Sequence, residues 1–190
     1  MKEVFAMKKM IALILTVAIG CLLFGCLPKM TATENFLLAI RKMDMNAMCA
    51  EMVVDESSGS LYRKLKHTEL KADAASVLTE LYGLMQYTIG TVSDGENGSK
   101  TVALTLKLPD MQRIRSLAEA QVLVSGDSAS SVVGDMIADG SVSKNMMKEY
   151  SLSVKMTQTD GTWKISCGDK ENADFVKALS LGEMIDFINR

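Results

Sequence analysis

The spacing of apolar residues along this chain passes from a helical repeat to strict alternation and back, twice, and those changes mark out its elements. Thr31-Ala32-Thr33-Glu34 sets a hydroxyl three residues ahead of a carboxylate. That capping-box spacing satisfies two otherwise orphan helix N–H groups, so a helix is expected to start there. Phe36, Leu37, Ile40 and Met43 follow at helical spacing, and Arg41 and Lys42 suit the negative end of the helix dipole. Asp44 is expected to cap a second helix that carries Met45, Met48, Cys49 and Met52 on one side. Asp55 to Gly59 has the composition of a loop. Residues 60–85 again read as helix, apolar at Leu61, Leu65, Leu78, Leu81 and Met85, with a break expected within residues 72–75.

After Tyr87 the period becomes two. Tyr87 to Val92 leads into the turn cluster Asp94-Gly95-Glu96-Asn97-Gly98, and Val102, Leu104, Leu106 and Leu108 alternate on the return, which predicts a hairpin with one buried face. Pro109-Asp110 stops it, and residues 111–124 read as a helix followed by a Gly/Ser-containing connection. Met136, Ile137, Met146 and Met147 sit in a helical region with a break at Gly140. Tyr150, Leu152, Val154 and Met156 then alternate, Asp160-Gly161 has the signature of a two-residue type I′ turn, and Trp163, Ile165 and Cys167 form the return strand. Residues 172–190 close the chain as a helix carrying Phe175, Val176, Leu179, Met184 and Ile188. Helices first, then strands interspersed with helices, predict an α+β fold: N-terminal helices packed on an antiparallel sheet, with a C-terminal helix.

The first thirty residues follow a different logic. Lys2, Lys8 and Lys9 precede the apolar run Met10 to Phe24, and a small residue, Gly25, stands just before Cys26. A positive segment, a short apolar segment and a small residue at the cut are the parts of a secretion signal, and the run is shorter than the ~20 apolar residues a spanning helix needs. Leu23-Phe24-Gly25-Cys26 resembles the lipobox of bacterial lipoproteins. That resemblance implies that residues 1–25 are cleaved and that the Cys26 thiol carries a diacylglyceryl group, residues 26–31 being a lipidated cysteine and tether ahead of a single domain, 32–190. Ala18-Ile19-Gly20-Cys21 fits the pattern loosely, but cutting there strands Leu22, Leu23 and Phe24 at the new terminus. Translation from Met1 and from Met7 are both compatible with the signal.

Composition narrows the partners. The 190-residue chain holds 21 basic and 23 acidic residues, and loss of the first 25 residues leaves 165 with a net charge near −4. A chain of that balance lacks the basic face that phosphate neutralisation requires, so nucleic acid is not an expected partner. Cys49 and Cys167 remain in the folded part. An extracytoplasmic location permits a disulfide between them, while their apolar neighbours equally suit two free buried thiols. The sequence has no Cys-x-x-Cys and no Cys/His cluster, and no metal or cofactor is expected.

Three stretches, TENFLLAIRKMDMNAM, LMQYTIGTVSDGENGSKTVALTLKLPDM and DGTWKISCGDKENADFVKAL, in this order behind a lipobox, resemble the small bacterial lipoproteins of the nuclear transport factor 2-like superfamily. The resemblance spans about Thr33 to Leu179 and implies a cone of helices against a curved antiparallel sheet, held at the cell membrane. The insertion from about Ser125 to Asn145 departs from that pattern. Enzymes of the superfamily work inside the cone with Asp, His and Tyr. Here the lone His67 stands on a charged helical face, Tyr82, Tyr87 and Tyr150 flank strands, and Asp44, Asp110, Asp160 and Asp169 hold cap or turn positions. No nucleophile–base pair or phosphate loop is present. Fifteen methionines, four of them at 43, 45, 48 and 52, suit either a pliable apolar groove or a core in which Met replaces Leu; periodicity turns them inward. The expected function is therefore a non-catalytic binding or interaction module, anchored through Cys26 on the extracytoplasmic face of the cell membrane, whose partner is a small apolar ligand, a peptide or another envelope protein. The alternative is a cavity enzyme of isomerase or cyclase type that uses Tyr and carboxylate groups.

Overall fold

The computed structural model describes residues 28–53, 60–167 and 171–190. Helices α1 (Pro28–Arg41), α2 (Met45–Ala50), α3 (Ser60–His67) and α4 (Ala72–Gly83) lead into β1 (Gln86–Asp94) and β2 (Lys100–Pro109). Helices α5 (Met111–Ser125), α6 (Ala129–Ala138) and α7 (Ser141–Asn145) then separate that hairpin from β3 (Met147–Thr159) and β4 (Thr162–Ile165), and α8 (Ala173–Leu179) and α9 (Leu181–Ile188) follow. The sheet is an open antiparallel meander in the order β1-β2-β3-β4, and the fold is α+β as its sequence pattern predicts.

Alternation decides which face is covered. Val102, Leu104, Leu106 and Leu108 of β2, with Val154 and Met156 of β3 and Trp163 and Ile165 of β4, turn inward onto Phe36, Leu37 and Ile40 of α1, Met48 of α2, Leu78 and Leu81 of α4 and Phe175 of α8. The outer face carries Thr88, Thr105, Ser151 and Ser153 in the open. In β1 the alternation is interrupted: Ile89 pairs with Leu104 but Val92 with Val102, so β1 spends one extra residue there. The bulge lets Ile89 and Val92 both face inward, and it falls at Gly90, where an added Cβ would stand 3.3 Å from that of Ala103. The outer edge of β4 is met by residues 51–53: Ile165 N–H donates to the Glu51 carbonyl at 2.8 Å and Val53 N–H to that of Ile165 at 2.9 Å. This short parallel bridge blunts an otherwise free sheet edge.

Local signals placed most boundaries. Asp44 accepts the Ala47 N–H at 2.9 Å and Asp110 that of Arg113 at 3.2 Å, each as an N-cap. Asp160 and Gly161 both have positive φ, 51° and 77°, as the type I′ turn demands. Gly140 separates α6 from α7.

Three expectations need correction. Helix α1 begins at Pro28, ahead of the Thr31–Glu34 box; proline is favoured at a first helical position because its missing N–H has no intrahelical partner there. The break in residues 60–85 falls at 68–71, before the expected site. Asn189 holds it there, accepting the Lys71 N–H at 2.8 Å and donating to the Glu69 carbonyl at 3.0 Å. The C-terminal helix is two helices, broken at Ser180, whose φ of 46° lies in the left-handed region. The Tyr82 hydroxyl supplies the reason, donating at 2.8 Å to the Leu179 carbonyl that the break leaves unpaired. Cys21, Cys26, the loop 55–59 and Asp169 lie outside the described residues.

Candidate binding clefts beside helix α8

Asn172, with φ 56°, turns the chain into α8, and Ser180 turns it out. Between those bends α8 separates two surface clefts. The first, about 340 Å³, lies between α3, the end of β4 and the α8–α9 bend. Leu61, Cys167, Val176 and Leu181 give it apolar walls, and Lys64, Lys177 and Glu183 give it a charged rim. The second, about 350 Å³, lies between β3, the start of α5 and the length of α8, with Met111, Tyr150 and Leu152 set against Lys148, Asp174 and Lys177. Lys177 and Ser180 border both.

The rim charges are partly committed. Lys64 pairs with Asp186 and donates to the Gly182 carbonyl at 3.4 Å, and Glu183 lies 3.6 Å from Arg115. Lys148 sits 5.1 Å from the centre of the Tyr150 ring, within cation–π range. Such clefts hold an apolar group by its surface and a polar end by the rim, the usual division of labour in a small binding site. They present no set of ligands for a metal, and among the described residues no group of three or more His, Cys, Asp or Glu is placed to hold one.

The residues singled out from sequence are scattered rather than convergent. Cys49 and Cys167 are buried, unbridged thiols. Cys167 contributes to the first cleft, but burial pushes its thiol up to about 12, so it stays protonated at neutral pH. Burial also raises Cys49, against a smaller opposing effect of Lys66. His67 is exposed at the end of α3. Tyr82 is fully buried with its hydroxyl engaged, and its proton is held far more tightly than that of a free phenol because burial disfavours the anion. Tyr87 and Tyr150 are half-buried; burial and Glu34 raise the former, with Arg41 opposing. Met48 and Met52 are fully enclosed and Met43 is buried, so this run belongs to the core. Thr33, also buried, satisfies its hydroxyl by donating to the Met156 sulfur at 3.3 Å.

Sequence reasoning missed Lys64, Lys177 and Ser180. Each has an ordinary helical or polar context, and only the fold brings α3 and the α8–α9 bend together. No known family model matches the chain, and no curated protein or solved structure does either.

Proposed function

We propose that this chain is a lipid-anchored extracytoplasmic protein that works as a non-catalytic binding or interaction module at the cell envelope. The observation that carries the reading is Leu23-Phe24-Gly25-Cys26 at the end of a basic and then apolar leader. Two acyl chains on Cys26 give stable attachment, whereas one chain alone attaches only marginally and reversibly. An α+β domain with helices on one face of an open sheet agrees with the cone-type lipoproteins that the sequence resembles.

Tyr82 donates to a backbone carbonyl among apolar side chains and so is not placed to act on a ligand. The alternative, an isomerase-type site with a tyrosine and a carboxylate on open space, would fall to Tyr150 and Asp174 in the second cleft, and Tyr150→Phe tests it by its effect on any turnover. The clefts beside α8 suit an apolar ligand or a peptide side chain. Replacing Cys26 by Ser and fractionating the cells tests the anchor. The variant is expected to leave the membrane fraction or to keep its unprocessed mobility, and an unchanged mature band in the membrane contradicts the reading.

A further inference from the structure

Among the described residues four large apolar side chains are exposed, Leu38, Leu117, Leu123 and Val124, and the last two stand apart at 87% and 89% exposure. They occupy the final turn of α5, which Gly126 closes in the left-handed region. Seven residues, Ala120-Gln121-Val122-Leu123-Val124-Ser125-Gly126, carry no charge. Glu119, the charge before them, is drawn back along the helix by Arg115 at 2.8 Å. The turn between α5 and α6 therefore presents two neighbouring apolar side chains in water at the end of α5, with one exposed carboxylate, Asp127, just beyond Gly126.

We propose that this tip inserts into the lipid bilayer to which Cys26 attaches the protein, and so fixes the orientation of the domain on the membrane. The inference rests on the lipid-anchor reading above. Two side chains on a convex turn fall far short of the ~800 Å² that each partner of a stable protein interface buries, whereas an apolar tip of this size is sufficient to enter the boundary between headgroups and acyl chains. The anchor supplies the proximity: α1 begins two residues after Cys26, which holds the domain against the bilayer. The fold allows the contact. Ser130, in the first turn of α6, donates at 2.7 Å to Asp73 in the first turn of α4, so the tip lies beside the start of α4. Arg41, the last residue of α1, shares a cleft with residues 83–87 at the other end of α4. Helices α1 and α4 pack on each other, and from that shared end α1 runs back about 20 Å to its start and α4 about 18 Å to the tip. With no cation on the tip and Asp127 beside it, attachment depends on apolar burial, and anionic headgroups oppose it.

The test uses the mature acylated chain in vesicles of phosphatidylethanolamine and phosphatidylglycerol, carrying an environment-sensitive fluorophore at Leu123→Cys. Cys49 and Cys167 are buried and do not compete for the label. A blue-shifted emission that a lipid-embedded quencher suppresses, not weakened by added salt, is the expected result, while the same fluorophore at Ser153→Cys on the outer sheet face stays aqueous. Val124→Cys repeats the measurement at a second position. An aqueous signal at both tip positions on protein that still floats with the vesicles overturns the insertion and leaves the anchor standing. Protein that does not float overturns the anchor and with it this inference. A blue shift that appears without vesicles and grows with protein concentration assigns the tip to a second copy of the chain and contradicts the proposal.

Discussion

The side-chain amide of Asn172 takes the place of a peptide group opposite Lys155: its Oδ1 accepts the Lys155 N–H at 2.7 Å and its Nδ2 donates to the Lys155 carbonyl at 2.9 Å. The same Nδ2 donates to the Ser166 carbonyl at 2.6 Å. Asn172 thus continues the pairing of β3 beyond the end of β4 and fixes where α8 starts, between the two clefts. It is also one of the few residues that tolerate the left-handed backbone it adopts, φ 56°. Replacement by Ala removes these bonds and adds strain, and is expected to cost about 2–4 kcal/mol, measured by urea unfolding. Replacement by Asp sets a carboxylate against two carbonyls and is expected to destabilise despite its similar shape.

Tyr82→Phe removes the donor that serves the Leu179 carbonyl while keeping the ring in the core. The buried acceptor is left unpaired, and a loss of about 1–3 kcal/mol is expected in the same assay. If the variant is as stable as the parent, the hydroxyl is not what secures the break at Ser180.

Burial of the two cysteines makes them unreactive in the native protein. A thiol reagent at pH 8 is expected to modify neither Cys49 nor Cys167 until denaturant is added. The folded thiol of Cys167 is raised from 9.0 to about 12, so its contribution to stability is complete below pH 9 and is lost as pH rises from there toward 12. Unfolding midpoints should fall over that range, and Cys167→Ala should flatten the fall. Rapid modification of native protein at pH 8 contradicts this placement.

At the acid end, the hydrogen bond from Ser130, foremost among several causes, holds the Asp73 carboxyl below the ordinary carboxylate range. A depressed carboxyl stabilises the fold above its unfolded pKa, and that contribution disappears as pH falls through the lower folded value. Stability of the parent should therefore drop below about pH 4 more steeply than that of Ser130→Ala, since the variant has less of this interaction to lose. Parallel acid profiles for the two proteins contradict the assignment.

How far the sequence foretold this arrangement depends on the range of the interaction concerned. Alternation in residues 102–108 and 150–156, the Asp160-Gly161 turn and the caps at Asp44 and Asp110 are settled within a few residues, and they fall where the pattern places them. The break at 68–71 depends on Asn189, over a hundred residues away, and the one at Ser180 on Tyr82, so neither leaves a local trace. The bulge at Gly90 lies in a stretch that reads as regular period-two strand, because pairing with β2 rather than local composition places the extra residue. The clefts beside α8 were illegible for the same reason: Leu61 and Lys64 reach them from α3, and nothing near either residue announces a shared wall. The apolar pair at Leu123 and Val124 read as ordinary helix, because a sequence does not tell which turn of an amphipathic helix the core leaves uncovered.

The most direct measurement is the intact mass of the protein isolated from the membrane fraction of cells expressing the whole chain. The account predicts a chain that begins at Cys26 and carries the added mass of a diacylglyceryl group on that residue. A membrane-bound chain that still begins at Met1 or Met7, with an unmodified Cys26, contradicts it.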